Sequence, residues 1–440
     1  MTADAEPTAP DDSYLRAVAE ATERAVASAE PIRSEFDGAP EPLRARAESR
    51  IGELAEPLLE LSHDLHAHPE EGFGEHRAVA GVAELLRAQG FDVQVGAGGL
   101  ETALVARGGG DGPHVAVLAE YDALPGIGHA CGHNIICTSA TGGFLGAAAA
   151  LEQTRGRLSL FGTPAEEGGG GKEILARAGL FDDVDAVLML HPFSHDIAAH
   201  PFLGRRQLDV TFHGIAAHAS AQPFMGRNAL DAVVATYQGV AALRQHMPSG
   251  DRVHGIITDG GARPNVVPER AAAQFYVRSA DAGSLRDVAG RIEAIARGAA
   301  EMTGCGVELL WDRQVPYLPI RHNQALSARW AQHQGRRGRN ALPRGVVPEY
   351  LTGSTDLGNL SFRMPAMHPM IGLEDPGLSL HTARFATAAG SAAGDRAVLD
   401  GAVGLALTAL DYLADDRLRS AVHAEFESAG GSVDVPAFFD

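Results

Sequence analysis

Four clusters of side chains in this sequence could hold a cation or move a proton. The first is His129-Ala130-Cys131-Gly132-His133-Asn134, which follows Tyr121-Asp122-Ala123-Leu124-Pro125-Gly126. A thiolate at Cys131 and an imidazole at His133, with Gly132 relieving the crowding between them, can bind a borderline-soft ion such as zinc or manganese. Alone, such a pair is more often two buried structural residues. The second is Thr163-Pro164-Ala165-Glu166-Glu167, followed by four glycines and Lys172. It is not a phosphate loop: Glu166 stands where the first glycine is needed, and Glu173 replaces the hydroxyl residue after the lysine. If one of the two carboxylates binds a metal, its neighbour can take a proton from water; without a cation, one pKa would rise. A solvated acidic loop is the plain alternative. The third is His191-Pro192, which ends an apolar run over 187–190 and so lies where open sheets bind ligands, at a strand's carboxyl end. The fourth packs His63, His66 and His68 into six residues, either as metal ligands or as the polar end of a helix stopped by Pro69.

Positioning such residues needs strands and helices on both sides of them. Residues 115–119 and 158–161 read as buried strands, and 135–150 as a helix of small residues. Residues 13–61 have helical periodicity, broken near 38–42. Residues 78–90 form an amphipathic helix before a strand at 91–95, with turns at 96–99 and 108–112. From about Gly204 the pattern becomes strand 207–212, helix 228–246, strands 252–259 and 271–278, helix 284–303 and strand 306–311. That βαββαβ order predicts a ferredoxin-like module inserted into a larger α/β domain. Beyond Pro319 a helix at 323–334, an apolar segment at 364–371 and a final helix at 396–414 complete the larger domain. The division is a disordered tail at 1–12, a first part at 13–203, the insert at 204–318 and a second part at 319–440.

Composition narrows the function. The 440 residues carry a net charge of −20, which argues against a nucleic-acid partner. The most apolar stretches, 135–151 and 402–413, are interrupted, so no membrane helix is expected. The acidic N-terminus lacks the apolar core of a secretory signal. Three cysteines, Cys131, Cys137 and Cys305, predict no disulfide framework and fit a cytoplasmic location.

Taken together, HACGHN after YDALPG, TPAEEGGGGK, the strand ending in His-Pro, HGIAAHAS (213–220), GGARPNVVPE (260–269), STDLGNLS (354–361) and a late histidine resemble one group of enzymes. It is the amidohydrolase branch of the aminoacylase, carboxypeptidase G and dipeptidase metallopeptidases, and the likeness covers about residues 50–415. The Asn134 form of the first motif, with STDLGNLS, is most similar to the p-aminobenzoyl-glutamate hydrolase and basic-dipeptide dipeptidase subgroup. The resemblance implies a zinc-exopeptidase-like three-layer catalytic domain with the insert as lid and dimerisation domain. It implies two divalent metal ions, Zn or Mn, held by Cys131, His133, Glu167, His191 and His381. Glu166 would be the general base, Asp122 would support the ligands, and Asn265 and Arg278 would hold substrate. His218 would reach into the partner subunit of a homodimer and support the oxyanion.

The expected reaction is hydrolysis of the amide of an N-acyl or N-aminoacyl amino acid. A dipeptidase acting on ordinary or β-alanyl dipeptides is the second reading. A catalytically silent relative that binds an amide or a metal is the third. Two departures from the family pattern stand out. Ile215 replaces a common Lys or Arg, and Asn134 removes a carboxylate beside the ligands. His195, His200 and His368 have no assigned role and read as structural or rim residues.

Overall fold

The computed structural model describes residues 8–440; most of the tail expected at 1–12 lies outside them, and 8–12 form neither helix nor strand. Helices α1 (Ser13–Ser28), α2 (Glu41–Glu53), α3 (Ala55–Ala67) and α4 (His76–Ala88) come first. The break before α2 falls where Gly38 takes φ 69° and Pro42 starts the new helix, positions suited to each residue. In α4, Ala78, Val79, Val82, Ala83 and Leu86 are buried, one helical stripe.

Strands β1 (Val93–Val95), β2 (Leu104–Gly109) and β3 (His114–Ala119) follow, then α5 (His133–Ala148), β4 (Arg157–Gly162), α6 (Gly171–Arg177), β5 (Ala186–Leu188) and β6 (His191–Phe193). All six residues of β3 are buried, as expected for a parallel strand covered on both faces. The insert comprises β7 (Gly204–His213), α7 (Ala229–Leu243), β8 (Arg252–Asp259), β9 (Arg270–Ser279), α8 (Ala282–Thr303) and β10 (Gly306–Trp311). The chain then adds α9 (Gln324–Arg336), α10 (Leu357–Ser361), β11 (Ala366–Met367), β12 (Met370–Gly372), α11 (Ala383–Ala389), α12 (Ala392–Ala414), α13 (Asp416–Ser428) and α14 (Val435–Phe439). The helix expected at 396–414 is therefore not the last.

The main sheet has six strands in the order β1-β2-β4-β3-β5-β11. Strands β4, β3, β5 and β11 run parallel, and β1 and β2 are antiparallel additions. One face packs on α2, α3, α5 and α12, the other on α6 and α10, giving the expected three layers. Helix α12 is long and apolar enough to cross a membrane, contrary to the reading of 402–413, but 83% of its apolar window is buried. It is a core helix packed along α5. The insert forms a separate antiparallel sheet, order β10-β7-β9-β8, with its own core against α7 and α8.

The strand expected over 187–190 does not end in His191. It stops at Leu188, and after Met189 and Leu190 His191 opens β6, which pairs in parallel with β12. The partner strand breaks alongside it, between Met367 and Met370. There Pro369 has no N–H for a ladder bond, although its carbonyl accepts from His191 N at 2.9 Å.

The C-terminal segment touches both units. Val433 N donates to Phe362 O (2.8 Å), while Arg206 Nη2 donates to Phe439 O (3.1 Å) and Arg286 Nη2 to Phe438 O (3.0 Å).

Candidate metal centre

Three neighbouring parallel strands deliver the site at their carboxyl ends, the edge where such sheets bind ligands. Glu120 and Asp122 leave β3, the Glu166–Glu167 turn leaves β4, and His191 follows β5. Helix α5 begins at His133, capped by Gly132 at φ 73°. A Cβ on Gly132 would lie 2.8 Å from Pro192 Cγ, so this position requires glycine for both backbone and space. His381, itself at φ 60°, is held by donating its N–H to Ala130 O at 3.0 Å. That bond places its ring beside Cys131.

The predicted ligand set converges. Donor atoms of Cys131, His133 and His191 lie within 4.8 Å of one another, as do those of Cys131, Glu167 and His381, and those of His133, Glu166 and Glu167. His381 Nε2 is 3.0 Å from Cys131 Sγ and 3.7 Å from Glu167 Oε1. His191 Nδ1 donates to Pro192 O (2.7 Å), which leaves Nε2 as the lone-pair nitrogen. Asp122 does the same for His133, accepting from Nδ1 at 3.1 Å.

The electrostatics suit a cation. Burial alone would lower the pKa of His133, yet Asp122, Glu120 and Glu167 pull it up to about 10. Burial pushes the Cys131 thiol up, and Glu167, Glu166 and Asp122 push it further. Burial also raises the Glu166 carboxyl, helped by Glu120, Glu167 and Asp356. Burial and the nearby His133 lower His191 to about 3, so its imidazole is neutral, the form a metal binds. His133 Nε2 and Glu167 Oε1 are buried without hydrogen-bond partners. An unpartnered ring nitrogen and an unpartnered carboxylate oxygen in a negative field fit a divalent ion, which would displace the ring proton.

Supports that the sequence reading missed fix the carboxylate turn. Buried Glu75 accepts from Ala165 N at 2.8 Å and from Thr102 Oγ1 at 2.7 Å. Tyr317 Oη donates to Glu166 O at 2.8 Å. Lys172, which in sequence only ends a run resembling a phosphate loop, is wholly buried between Glu120 and Asp356. A lysine that deep needs paired carboxylates, and Asp122 and STDLGNLS mark their neighbourhoods.

The substrate-facing candidates are not gathered with this cluster. His218 and Asn265 are on the insert, away from these ligands, side by side through Ala219 N donating to Asn265 O at 3.1 Å. Ser220 N and Ala221 N each approach His218 Nδ1 at 3.3 Å, which assigns the ring proton to Nε2. Arg278 on β9 donates to Ser354 Oγ at 3.2 Å, bridging insert and catalytic unit.

Of the other histidines singled out in the sequence, all but His368 make local polar contacts. His63 pairs with Asp395, His66 lies 2.7 Å from Ala386 O and His68 2.9 Å from Asp64 O, so the polar helix end is what forms. His195 meets Ser194 Oγ and His200 meets Leu351 O. Buried His368 stacks edge-on to His191, with both ring nitrogens unpartnered.

Residues 203–302 match the family described as a peptidase dimerisation domain. A mouse (Mus musculus) protein named Xaa-Arg dipeptidase is 37% identical over 400 residues, covering 88% of this chain and 92% of the relative. The chain belongs to the amidohydrolase branch of the M20 peptidases. Within that family, one of the subunits of the Escherichia coli (strain K12) p-aminobenzoyl-glutamate hydrolase is 34% identical over 60% of this chain and 59% of its own. An aminobenzoyl-glutamate utilization protein from Klebsiella pneumoniae shares the fold at TM-score 0.62 and 23% identity, over 82% of this chain and 98% of that one. A dinuclear metal-binding M20 peptidase from Bacillus subtilis does so at TM-score 0.58 and 20% identity, over 80% and 98%. This M20 protein is thus a hydrolase of amide bonds.

Proposed function

We propose that this M20 enzyme hydrolyses the amide of an N-acyl or N-aminoacyl amino acid at a pair of divalent ions held by Cys131, His133, Glu167, His191 and His381. The observation that carries the reading is the convergence of those five donors, with Glu166, on one sheet edge. When bound, the ions supply Lewis acidity and make water a nucleophile at neutral pH. Glu166 takes the proton of the attacking water on a carboxylate oxygen and passes it to the leaving nitrogen, general acid–base work that suits a carboxyl raised by burial. Its backbone carbonyl is held by Tyr317 Oη, which fixes the turn that presents the carboxylate.

His218, protonated on Nε2, is a hydrogen-bond donor for a developing oxyanion. Because its contacts stay within the insert, we assign it to the partner's site in a homodimer, with Asn265 beside it and Arg278 binding substrate at the junction. The metal is Zn or Mn: the Cys131 sulfur favours zinc, the carboxylates manganese. The cytoplasm, being reducing, would keep Cys131 free for this role.

Likeness to a protein named Xaa-Arg dipeptidase favours a dipeptide with a basic C-terminal residue as the second reading. Metal analysis paired with hydrolysis of p-aminobenzoyl-glutamate, β-alanyl-lysine, Xaa-Arg dipeptides and N-acetyl amino acids tests both. Near two ions per chain with cleavage of one class is expected. Metal without cleavage of any would indicate a silent relative, and no metal after reconstitution would sink the ligand set.

A further inference from the structure

Three buried polar atoms near one another have no hydrogen-bond partner among the described residues: His133 Nε2, Glu120 Oε2 and Glu167 Oε1. Glu120 Oε2 is 3.7 Å and Glu167 Oε1 3.9 Å from His133 Nε2, both too long for hydrogen bonds. Two ligand atoms each about 2.1 Å from one zinc ion can stand up to about 4.2 Å apart. The 3.7 Å gap between His133 Nε2 and Glu120 Oε2 is therefore short enough for a cation between those two atoms.

Glu120 is held so that only one oxygen can serve. Its Oε1 is paired with Lys172 Nζ, which also reaches Asp356 Oδ1 at 2.6 Å. Lys172 N donates to Asp356 Oδ2 at 3.0 Å. All three side chains are fully buried. The clamp engages Oε1 and leaves Oε2 at 3.7 Å from His133 Nε2.

We propose that Glu120 is a sixth protein ligand of the metal centre, binding through Oε2 a divalent ion that it shares with His133. Lys172 is the positioning residue that holds its other oxygen. The inference rests on the dinuclear reading above and extends it. An added carboxylate oxygen makes that position harder, so it is the one expected to accept Mn²⁺ readily.

Chelator-competition titrations of apo protein with Zn²⁺ or Mn²⁺, without substrate, test this on Glu120→Gln and Glu120→Asp. The wild type is expected to take up two ions. Each variant should bind one ion as the wild type does and the other at least about 10-fold more weakly, since even outer partners of metal ligands are worth that much. Glu120→Asp keeps the charge beside Lys172 and decides the matter if Glu120→Gln does not fold. Both ions bound at wild-type affinity in the folded variants, with only a lower Tm, would make Glu120 a mere counter-ion of Lys172 and overturn the proposal. Fewer than two ions in the wild type would instead overturn the dinuclear reading, a separate result.

Discussion

Asp122 grips His133 from behind: its Oδ1 accepts from the ring Nδ1 at 3.1 Å, while its Oδ2 accepts from Glu167 N at 3.0 Å. One carboxylate thus orients two predicted ligands, one at the start of α5 and one in the turn after β4. Burial opposes its charge, but His133 and Glu167 N hold its pKa below the usual carboxylate value. Asp122→Asn should lower metal affinity about 10–100-fold with the fold retained. Calorimetric metal titration checks this; unchanged binding would reduce Asp122 to a packing residue.

Glu166→Gln keeps the volume and the Tyr317 contact but cannot carry the proton. Turnover should fall about 10²–10⁴-fold, with both metals still present by elemental analysis. Loss of metal in that variant would identify Glu166 as a ligand.

His218→Ala should lower kcat about 10²–10³-fold, with KM little changed. If His218 serves the partner's site, mixing this variant with Glu166→Gln and re-forming dimers should restore part of the activity. The mixed dimer has one site with an intact Glu166 and an intact incoming His218. No recovery on mixing would exclude action in trans.

Asp411 ties α12 to α9 and to the start of α2. Its Oδ2 lies 2.6 Å from both Arg329 Nε and His333 Nε2, and its Oδ1 accepts from Ala39 N at 2.7 Å. Burial would raise its pKa, but His333 and Arg329 more than offset this and hold it below the ordinary value. A depressed carboxylate stabilises fully above its unfolded pKa of about 3.9, and that stability is lost as pH falls through the lower folded value. Asp411→Asn should therefore cost about 3–5 kcal/mol near neutral pH, and the gap to wild type should narrow in denaturant melts below about pH 4. A gap that widens on acidification would refute this.

Gly132→Ala should destabilise by more than about 1 kcal/mol, from its left-handed backbone and the close approach of Pro192. A lower Tm together with weaker metal binding is the expected pair of readouts.

Much of the fold was legible because its signals are local. The buried run at β3, the turn glycines and the βαββαβ order all follow from short-range pattern. Cys131, His133, Glu167 and His191 could be singled out as candidate ligands because sulfur, imidazole and paired carboxylates stand out against an apolar background, whereas His381 came only from the family resemblance. Glu120, Lys172 and Asp356 did not stand out, since a lone acid beside Asp122 and a lysine after four glycines look like surface residues. Only the tertiary fold brings them together in the core. His191 was found as a ligand candidate but placed on the wrong element, because the ladder break at Pro369 lies far away in sequence. His218 shows the opposite limit: the motif named it, and a single chain leaves it apart from the ligands.

The C-terminal contacts to Arg206 and Arg286 bear on how the insert can move. Two covalent crossings, near Gly204 and Pro319, would by themselves make a simple door hinge. The stretch from Val433 to Phe439 adds a non-covalent latch beside them, anchored on the Phe362 side and closed over β7 and α8. Any change of angle between the two units has to break those bonds, so that angle is set in part by residues 433–439, well beyond the last candidate ligand, His381, in sequence.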